Sequence, residues 1–321
     1  MKTNKLIYTA ALAILTGALL FTSCSKKRAF KNEDGQTSED NKVAQGESDA
    51  AISDANSVIG DKTYLHGKTA GPQTVSGVLG TICGLTVDTV GMPLGTIMLN
   101  YSGITCNNRN RTGSIRLTIQ NYASGVRWKH VGAVLKVEYL AYKVTRASDG
   151  KSVELNGTQY VTNNSGGTWF DLIFLGQTNL SHQVTGTNLL VTFNGTSSAT
   201  YNIHRKFTYT YTPLVITCVG EGIGTNNGLN QLENYGTTRN GDPFTSQVVT
   251  PIVWNTTCGA WAPIQGEVNI KVDSKSFDLK VLFGTDASGN AITVGANQCP
   301  YGFKVEWTYK KKTNKKIFGY L

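Results

Sequence analysis

The residue types able to do chemistry are spread thinly along this chain, and the first of them, Cys24, has the clearest setting. Lys2 and Lys5 give a basic start. Residues 6–21 are an apolar stretch too short to span a bilayer comfortably, and Leu20-Phe21-Thr22-Ser23-Cys24 ends it with small residues before a cysteine. A thiol at such a cleavage site is the acceptor for a diacylglyceryl thioether. Elsewhere the chemistry is sparser. Two carboxylates facing across a groove can hydrolyse a glycosidic bond, and Asp171, Glu221, Glu233 and Asp242 supply the acids without a spacing that pairs them. His66, His130, His182 and His204 lie far apart in sequence, and no two cysteines are spaced like zinc ligands. The sequence has no Gly-x-Ser-x-Gly elbow, His-Glu-x-x-His helix, phosphate-cradling Gly loop or EF-hand loop. The expectation is therefore no catalytic residue, no metal and no cofactor.

Binding surfaces are the next possibility. Among Trp128, Trp169, Trp254, Trp261 and Trp307, the best candidate to stack on a sugar ring is Trp128, which sits among Arg127, Lys129 and His130 near a turn. A second candidate surface is Lys310, Lys311 and Lys312 with Lys315 and Lys316, which suits either a charged edge strand that resists aggregation or contact with an anionic surface. Residues 25–62 carry 6 Lys or Arg against 8 Asp or Glu, and residues 63–321 carry 22 against 13, so the positive excess belongs to the body. A basic body invites an acidic glycan, anionic lipid or lipopolysaccharide, or an outer-membrane protein complex. Nucleic acid fits an exported protein least.

The elements that must position these residues are strands. Ile115, Leu117 and Ile119 alternate with polar residues, as do Phe207, Tyr209 and Tyr211. The same period recurs at Val268, Ile270 and Val272, at Phe277, Leu279, Val281 and Phe283, and at Phe303, Val305, Trp307 and Tyr309. Ser-Asp-Gly at 148–150, Ala-Ser-Gly at 123–125 and Ala-Ser-Gly-Asn at 287–290 supply turns. The pattern predicts an all-β, antiparallel body, either two sandwich-like lobes or one long twisted sheet, with no long helix. Residues 1–23 read as the signal peptide, 24–63 as the acylated cysteine and a flexible, disordered linker, 64–212 as a first β lobe and 213–321 as a second. Within the linker only a weak helix is expected, over residues 43–59. A weak repeat places Cys106 before Gly113 and Cys258 before Gly266, each after a strand. An oxidising compartment permits disulfides, and Cys83 with Cys106 and Cys258 with Cys299 close loops within one lobe each, leaving Cys218 as the odd thiol.

The run from Gly95-Thr96-Ile97-Met98-Leu99-Asn100-Tyr101 through Cys106, then Asn108-Arg109-Asn110-Arg111-Thr112-Gly113-Ser114-Ile115, resembles a block found in a β-rich lipoprotein family common in the Bacteroidota. Gly236-Thr237-Thr238-Arg239-Asn240-Gly241, Thr250-Pro251-Ile252-Val253 and residues 258–266 are similar to its second block. The resemblance covers most of residues 80–310 and carries over no activity and no binding residue. It implies a lipid-anchored envelope protein of the outer membrane. Ser25-Lys26-Lys27-Arg28 after the cysteine, in place of acidic residues, favours the periplasmic face over the cell surface. The expected function is non-catalytic, binding a glycan or serving as a subunit of an outer-membrane assembly. The alternatives are a glycan-active hydrolase and a structural or adhesive lipoprotein.

Overall fold

The computed structural model describes residues 32–60, 73–77, 80–275, 278–293, 298–309 and 311–320. The signal segment, Cys24, His66, Phe277 and Lys310 lie outside the described residues. The body is one antiparallel 16-stranded sheet in which most strands pair with their sequence neighbours. Its first half runs β1 (Gln73–Gly77), β2 (Gly80–Asp88), β3 (Thr96–Cys106), β4 (Arg109–Ile119), β5 (Ala133–Arg146), β6 (Ser152–Asn163), β7 (Leu180–Phe193) and β8 (Ser197–Thr212). It continues with β9 (Val215–Gly222), β10 (Gly224–Asn226), β11 (Leu229–Thr237), β12 (Pro243–Asn255), β13 (Gln265–Val272), β14 (Leu279–Thr285), β15 (Gly302–Tyr309) and β16 (Lys312–Gly319). The boundary expected between residues 212 and 213 falls on the turn joining β8 to β9, whose strands pair. Strand β8 also pairs with β11, and β9 with β12, so residues on both sides of that turn share one sheet.

Period-two alternation sets the inner face. Ala199, Tyr201, Ile203, Phe207 and Tyr209 of β8 are buried. The residues between them, such as Thr200, Asn202 and Lys206, are partly exposed and polar, as water-facing positions should be. Ile115, Leu117, Ile119, Val268, Ile270, Val272, Leu279, Val281, Phe283, Phe303 and Val305 are all buried as the alternation predicts.

Over residues 32–60 the expected flexible linker is instead a helix. Helix α1 (Asn32–Gly60) has 29 residues, which at 1.5 Å per residue is about 43 Å long. It is enclosed by the sheet. Tyr101 of β3, Arg109 and Arg111 of β4, Tyr139 of β5, Gln159 of β6, Arg205 of β8, Glu233 of β11 and Phe283 of β14 all contact it, so the sheet curls around it. Its polarity made it look disordered, since no apolar stripe marks a buried face. The polar groups are buried in pairs. Asp40 bonds Arg239, Glu47 bonds Arg109, Asp49 bonds Arg205 at 2.5 Å, Asp54 bonds Arg111 at 2.6 Å, and Lys42 bonds Glu233 at 2.8 Å. Ala51, Ala55 and Val58 fill the spaces between with small side chains.

Curling so long a sheet needs kinks, and β-bulges supply them by breaking register and raising local twist. Pairing shifts register opposite Gly113 in β4, at Leu140 and Ala141 in β5, at Gly157 in β6 and near Asn188 in β7. Two asparagines complete the kinks. Asn156 Oδ1 accepts the N–H of Ala141 (φ 51°) at 2.8 Å, and Asn202 Oδ1 accepts the N–H of Asn188 (φ 52°) at 3.1 Å.

Both predicted disulfides are present, Cys83–Cys106 and Cys258–Cys299, and Cys218 is free. The 41-residue separation of the second pair makes it the stronger clamp. In the chain-entropy picture, replacing Cys258 and Cys299 with Ser should lower unfolding free energy by about 3–4 kcal/mol. Urea unfolding of the double variant checks this, and an unchanged midpoint contradicts it.

One buried group predicts acid sensitivity. His182 is fully buried between the Trp128 and Tyr209 rings, and burial holds its pKa down at about 3, against 6.5 ordinarily. The unfolded chain takes up this proton near pH 6.5 and the fold does not, so the group's contribution is complete above that pH and declines as pH falls towards 3. Across that window it should remove on the order of 1 kcal/mol per pH unit. In His182→Phe, stability measured by urea titration between pH 7 and 4 should fall less steeply than in wild type. Identical slopes contradict the assignment.

Candidate functional site

A cavity of about 570 Å³ lies between the second half of α1 and the sheet wall. Its helix side is formed by Asp49, Ala50, Ile52, Ser53 and Asp54. Opposite stand the ends of β3 and β4, the β8–β9 hairpin, Trp169 of helix α2 (Trp169–Phe174), and the loop after β12 with Trp261. Thr81, Asn107, Leu214 and Thr257 are exposed lining residues and form its mouth. Cys83, Cys106 and Cys258 line it too, so both disulfides brace its wall.

Local folding explains how each side chain is held. Helix α2 begins with a capping box in which the Thr168 side chain accepts the Asp171 N–H and Asp171 accepts the Thr168 N–H. This turn sets Trp169 against Tyr209, ring centroids 5.8 Å apart, edge to face. Arg109 donates to Glu47 and lies 4.3 Å over the Trp261 ring, which links helix, strand and rim loop. Arg111 donates to Asp54 and to the Cys83 carbonyl at 3.1 Å, and lies 4.8 Å over the Tyr101 ring. Tyr101 donates its hydroxyl to Asp54 at 2.9 Å. Arg205 stacks on Phe207 and Trp254 while bonding Asp49.

The electrostatics follow from burial. Burial raises the Asp49 pKa to about 6 despite the Arg205 charge beside it. For Glu233, burial acts upward, but Lys42, Arg205 and the Ser246 hydroxyl together hold its carboxyl below the ordinary value, so it stays ionised. Burial pushes the Cys218 thiol well up, which leaves it a poor nucleophile at neutral pH.

The sequence-predicted surface residues are elsewhere. Trp128 is 1% exposed, packed against His182 in the core, so its faces cannot receive a sugar. Arg127 covers Tyr122 and bonds the Tyr122 and Val126 carbonyls, closing its own loop. Lys129 is exposed in that loop. Lys311, Lys312, Lys315 and Lys316 are exposed on or beside the edge strand β16, which among the described residues pairs only with β15. This is the placement expected of charge that blocks edge-to-edge pairing. The four acidic residues sit in separate local settings. Asp171 caps α2, Glu221 meets Lys206 at 3.7 Å on the surface, Glu233 anchors Lys42, and Asp242 closes the β11–β12 turn through its carbonyl. Among the described residues no cluster of three His, Cys, Asp or Glu could hold a metal ion.

The cavity residues Asp49, Trp169, Phe207, Tyr209, Trp254 and Trp261 were not singled out together by sequence, because helix α1, which assembles them, reads as linker. Compared with known proteins, the chain matches no family model, no curated protein and no solved structure.

Proposed function

We propose that this chain is a lipid-anchored cell-envelope protein of non-catalytic type, held in the outer membrane through Cys24, whose β body takes a ligand into the cavity beside α1. The observation that carries the binding reading is the cavity itself. Its volume is in the range of small-molecule sites, and its wall is braced by two disulfides and by ion pairs. The disulfides suit the oxidising compartment that the export-type N-terminus points to. Three of the four carboxylates considered for hydrolysis, Asp171, Glu221 and Glu233, are engaged in capping and ion pairing, which supports binding over turnover.

Charge supports a particular kind of ligand. Arg109, Arg111, Arg146, Arg205 and Arg239 contribute to the positive excess of the body, yet they turn inward to carboxylates of α1. The free charge left by this arrangement includes the β16 lysines, which remain the natural contact for an acidic glycan or lipopolysaccharide. The cavity selects by shape and hydrogen bonding.

The anchor is tested by labelling cells with a clickable palmitate analogue. Wild type should take up label and partition with membranes, and Cys24→Ala should do neither. Equal labelling, or soluble wild-type protein, overturns the anchor.

A second reading, a subunit of an outer-membrane assembly, is favoured by one observation. Val90, Leu94, Val131, Phe174, Leu175 and Leu214 are 61–90% exposed. They sit on the β2–β3, β4–β5, β6–β7 and β8–β9 connections, which strand alternation puts at one end of the sheet. An exposed apolar rim of this kind marks contact surfaces.

A further inference from the structure

The lysines of the β15–β16 hairpin and the start of α1 lie at the same end of the body. Lys42 of α1 sits 4.8 Å over the Phe283 ring, and Phe283, Phe303 and Phe318 form one rung across β14, β15 and β16. From that rung the ladder leads through Leu279, Ile270, Val272 and Phe244 to the β11–β12 turn, where Arg239 bonds Asp40. The helix therefore runs back from Lys42 to its first residue, Asn32, in the same direction as β15 runs from Phe303 to its turn after Tyr309. The helical stretch covers about 15 Å and the strand about 20 Å, so the two project to similar depths.

Lys311, Lys312, Lys315 and Lys316 are exposed around that turn, and among the described residues none pairs with a carboxylate. Glu306, the acid opposite Lys315 in register, is held by Lys304 at 2.9 Å. Protection of a sheet edge does not account for where these charges sit. The other edge strand, β1, reads Gln-Thr-Val-Ser-Gly and has no charge, and neither do residues 317–319 of β16, away from the turn. The charge gathers at one end of one edge, the end from which the chain leads back to Cys24.

That path is short. Cys24 precedes Asn32 by eight residues, which in any conformation span at most about 29 Å. Strands β5, β7 and β8 have 14, 14 and 16 residues, so the apolar rim at their far ends stands about 35 Å or more away even at a barrel-like tilt. A body tied to a membrane through Cys24 cannot stand on that rim, whereas the lysine turn is within reach of the headgroups. Lys26, Lys27 and Arg28 place three more cations beside the anchor.

We infer that the β15–β16 turn docks on the anionic headgroups of the membrane that holds Cys24, with Lys311, Lys312, Lys315 and Lys316 contacting lipid phosphates and the apolar rim directed away. One lipid anchor joined to a basic cluster of this size is a recognised two-signal attachment. The inference rests on the Cys24 anchor and on the reading of these lysines as an anionic contact, and it names their partner.

The test uses residues 24–321 carrying Cys24→Ser, which keeps lipid attachment out of the measurement. The probes are vesicles of phosphatidylcholine, vesicles with about one-third phosphatidylglycerol, and soluble oligogalacturonate. The chain should bind the anionic vesicles about tenfold or more tightly than the neutral ones, and raising salt from about 0.1 to 0.5 M should remove most of that preference. Replacing the four lysines together with Gln should weaken anionic binding about tenfold or more, with circular dichroism reporting that the variant stays folded. The wild-type comparison between vesicles stands even if it does not. On bound chains, a headgroup-attached quencher should dim a fluorophore at Thr313→Cys at least about twofold more than one at Leu214→Cys, because Thr313 adjoins the turn and Leu214 lies on the rim. Equal quenching, stronger quenching at the rim, or vesicle binding indifferent to salt and to the four lysines overturns the inference. Binding of oligogalacturonate without anionic vesicles overturns membrane docking and leaves the lysines as a glycan contact. Binding to neither overturns both, while the anchor itself stands or falls by the palmitate labelling.

Discussion

Replacing Lys42 with Met while leaving Glu233 in place should cost the fold about 3–5 kcal/mol, among the largest effects available to a single substitution here. Lys42 Nζ lies 2.8 Å from Glu233 Oε1, and both side chains are almost fully buried, at 6% and 0% exposure. Glu233 also accepts from Gln45 and from Ser246 at 2.7 Å, but those are neutral partners. Removing the ammonium leaves a buried anion without its hydrogen-bonded ion partner, with dipoles and the less direct charge of Arg205 to stabilise it, and the cost of breaking a buried pair in this way exceeds the modest net worth of the pair. The double variant Lys42→Met/Glu233→Gln, which removes both charges and keeps an acceptor for Ser246, should recover most of the loss. Urea unfolding of the single and double variants measures the coupling. A single variant within about 1 kcal/mol of wild type would mean that water reaches the pair.

Gly113→Ala should cost about 3 kcal/mol or more, from backbone geometry rather than charge. Gly113 has φ +85°, a region that L side chains rarely adopt. A Cβ built there would stand 2.1 Å from the Ala141 carbonyl oxygen and 2.6 Å from its carbon, both backbone atoms of the neighbouring strand. Because Ala141 is itself at the kink of β5, relief would require undoing the bulge that lets the sheet curl. Gly125 shares the left-handed conformation at φ +90°, but a Cβ there meets nothing within 4 Å. Gly125→Ala therefore pays only the conformational penalty, about 1–2 kcal/mol. Thermal unfolding of the two variants separates the effects, and equal losses would show that the close approach at Gly113 is unimportant.

The strands were legible in the sequence because an inner face needs apolar side chains at every second position, and Ile115, Leu117 and Ile119 declare one without help from the rest of the chain. The disulfides were legible because each joins cysteines 23 or 41 residues apart around a few strands. Helix α1 was not. Its buried positions include Ser38, Asn41, Lys42, Gln45, Glu47 and Asp49, which locally describe a solvated segment, and the residues that neutralise them are strands away. Arg205 is 156 positions from Asp49, and Arg239 is 199 from Asp40. One signal did point to it. Arg109 and Arg111 share the period-two register of Ile115, Leu117 and Ile119, and Arg205 shares that of Ile203, Phe207 and Tyr209. A cation in a core-facing register requires a buried anion, and residues 32–60 hold seven Asp or Glu against one Lys. The cavity was hidden for the same reason, since Trp169, Trp254 and Asp49 come together only when the helix is inside. Trp128 misled because its cationic neighbours suggest exposure while its own ring fills the core.

Native-state hydrogen exchange of the full chain tests most directly whether the body is built around α1. If it is, amides of residues 41–58 exchange as slowly as those of β4, β5 and β8, and lose protection with them in a single cooperative step as denaturant rises. Exchange of those helix amides within seconds, while the strands stay protected, would show that the segment is a tether and that the sheet holds its shape without it.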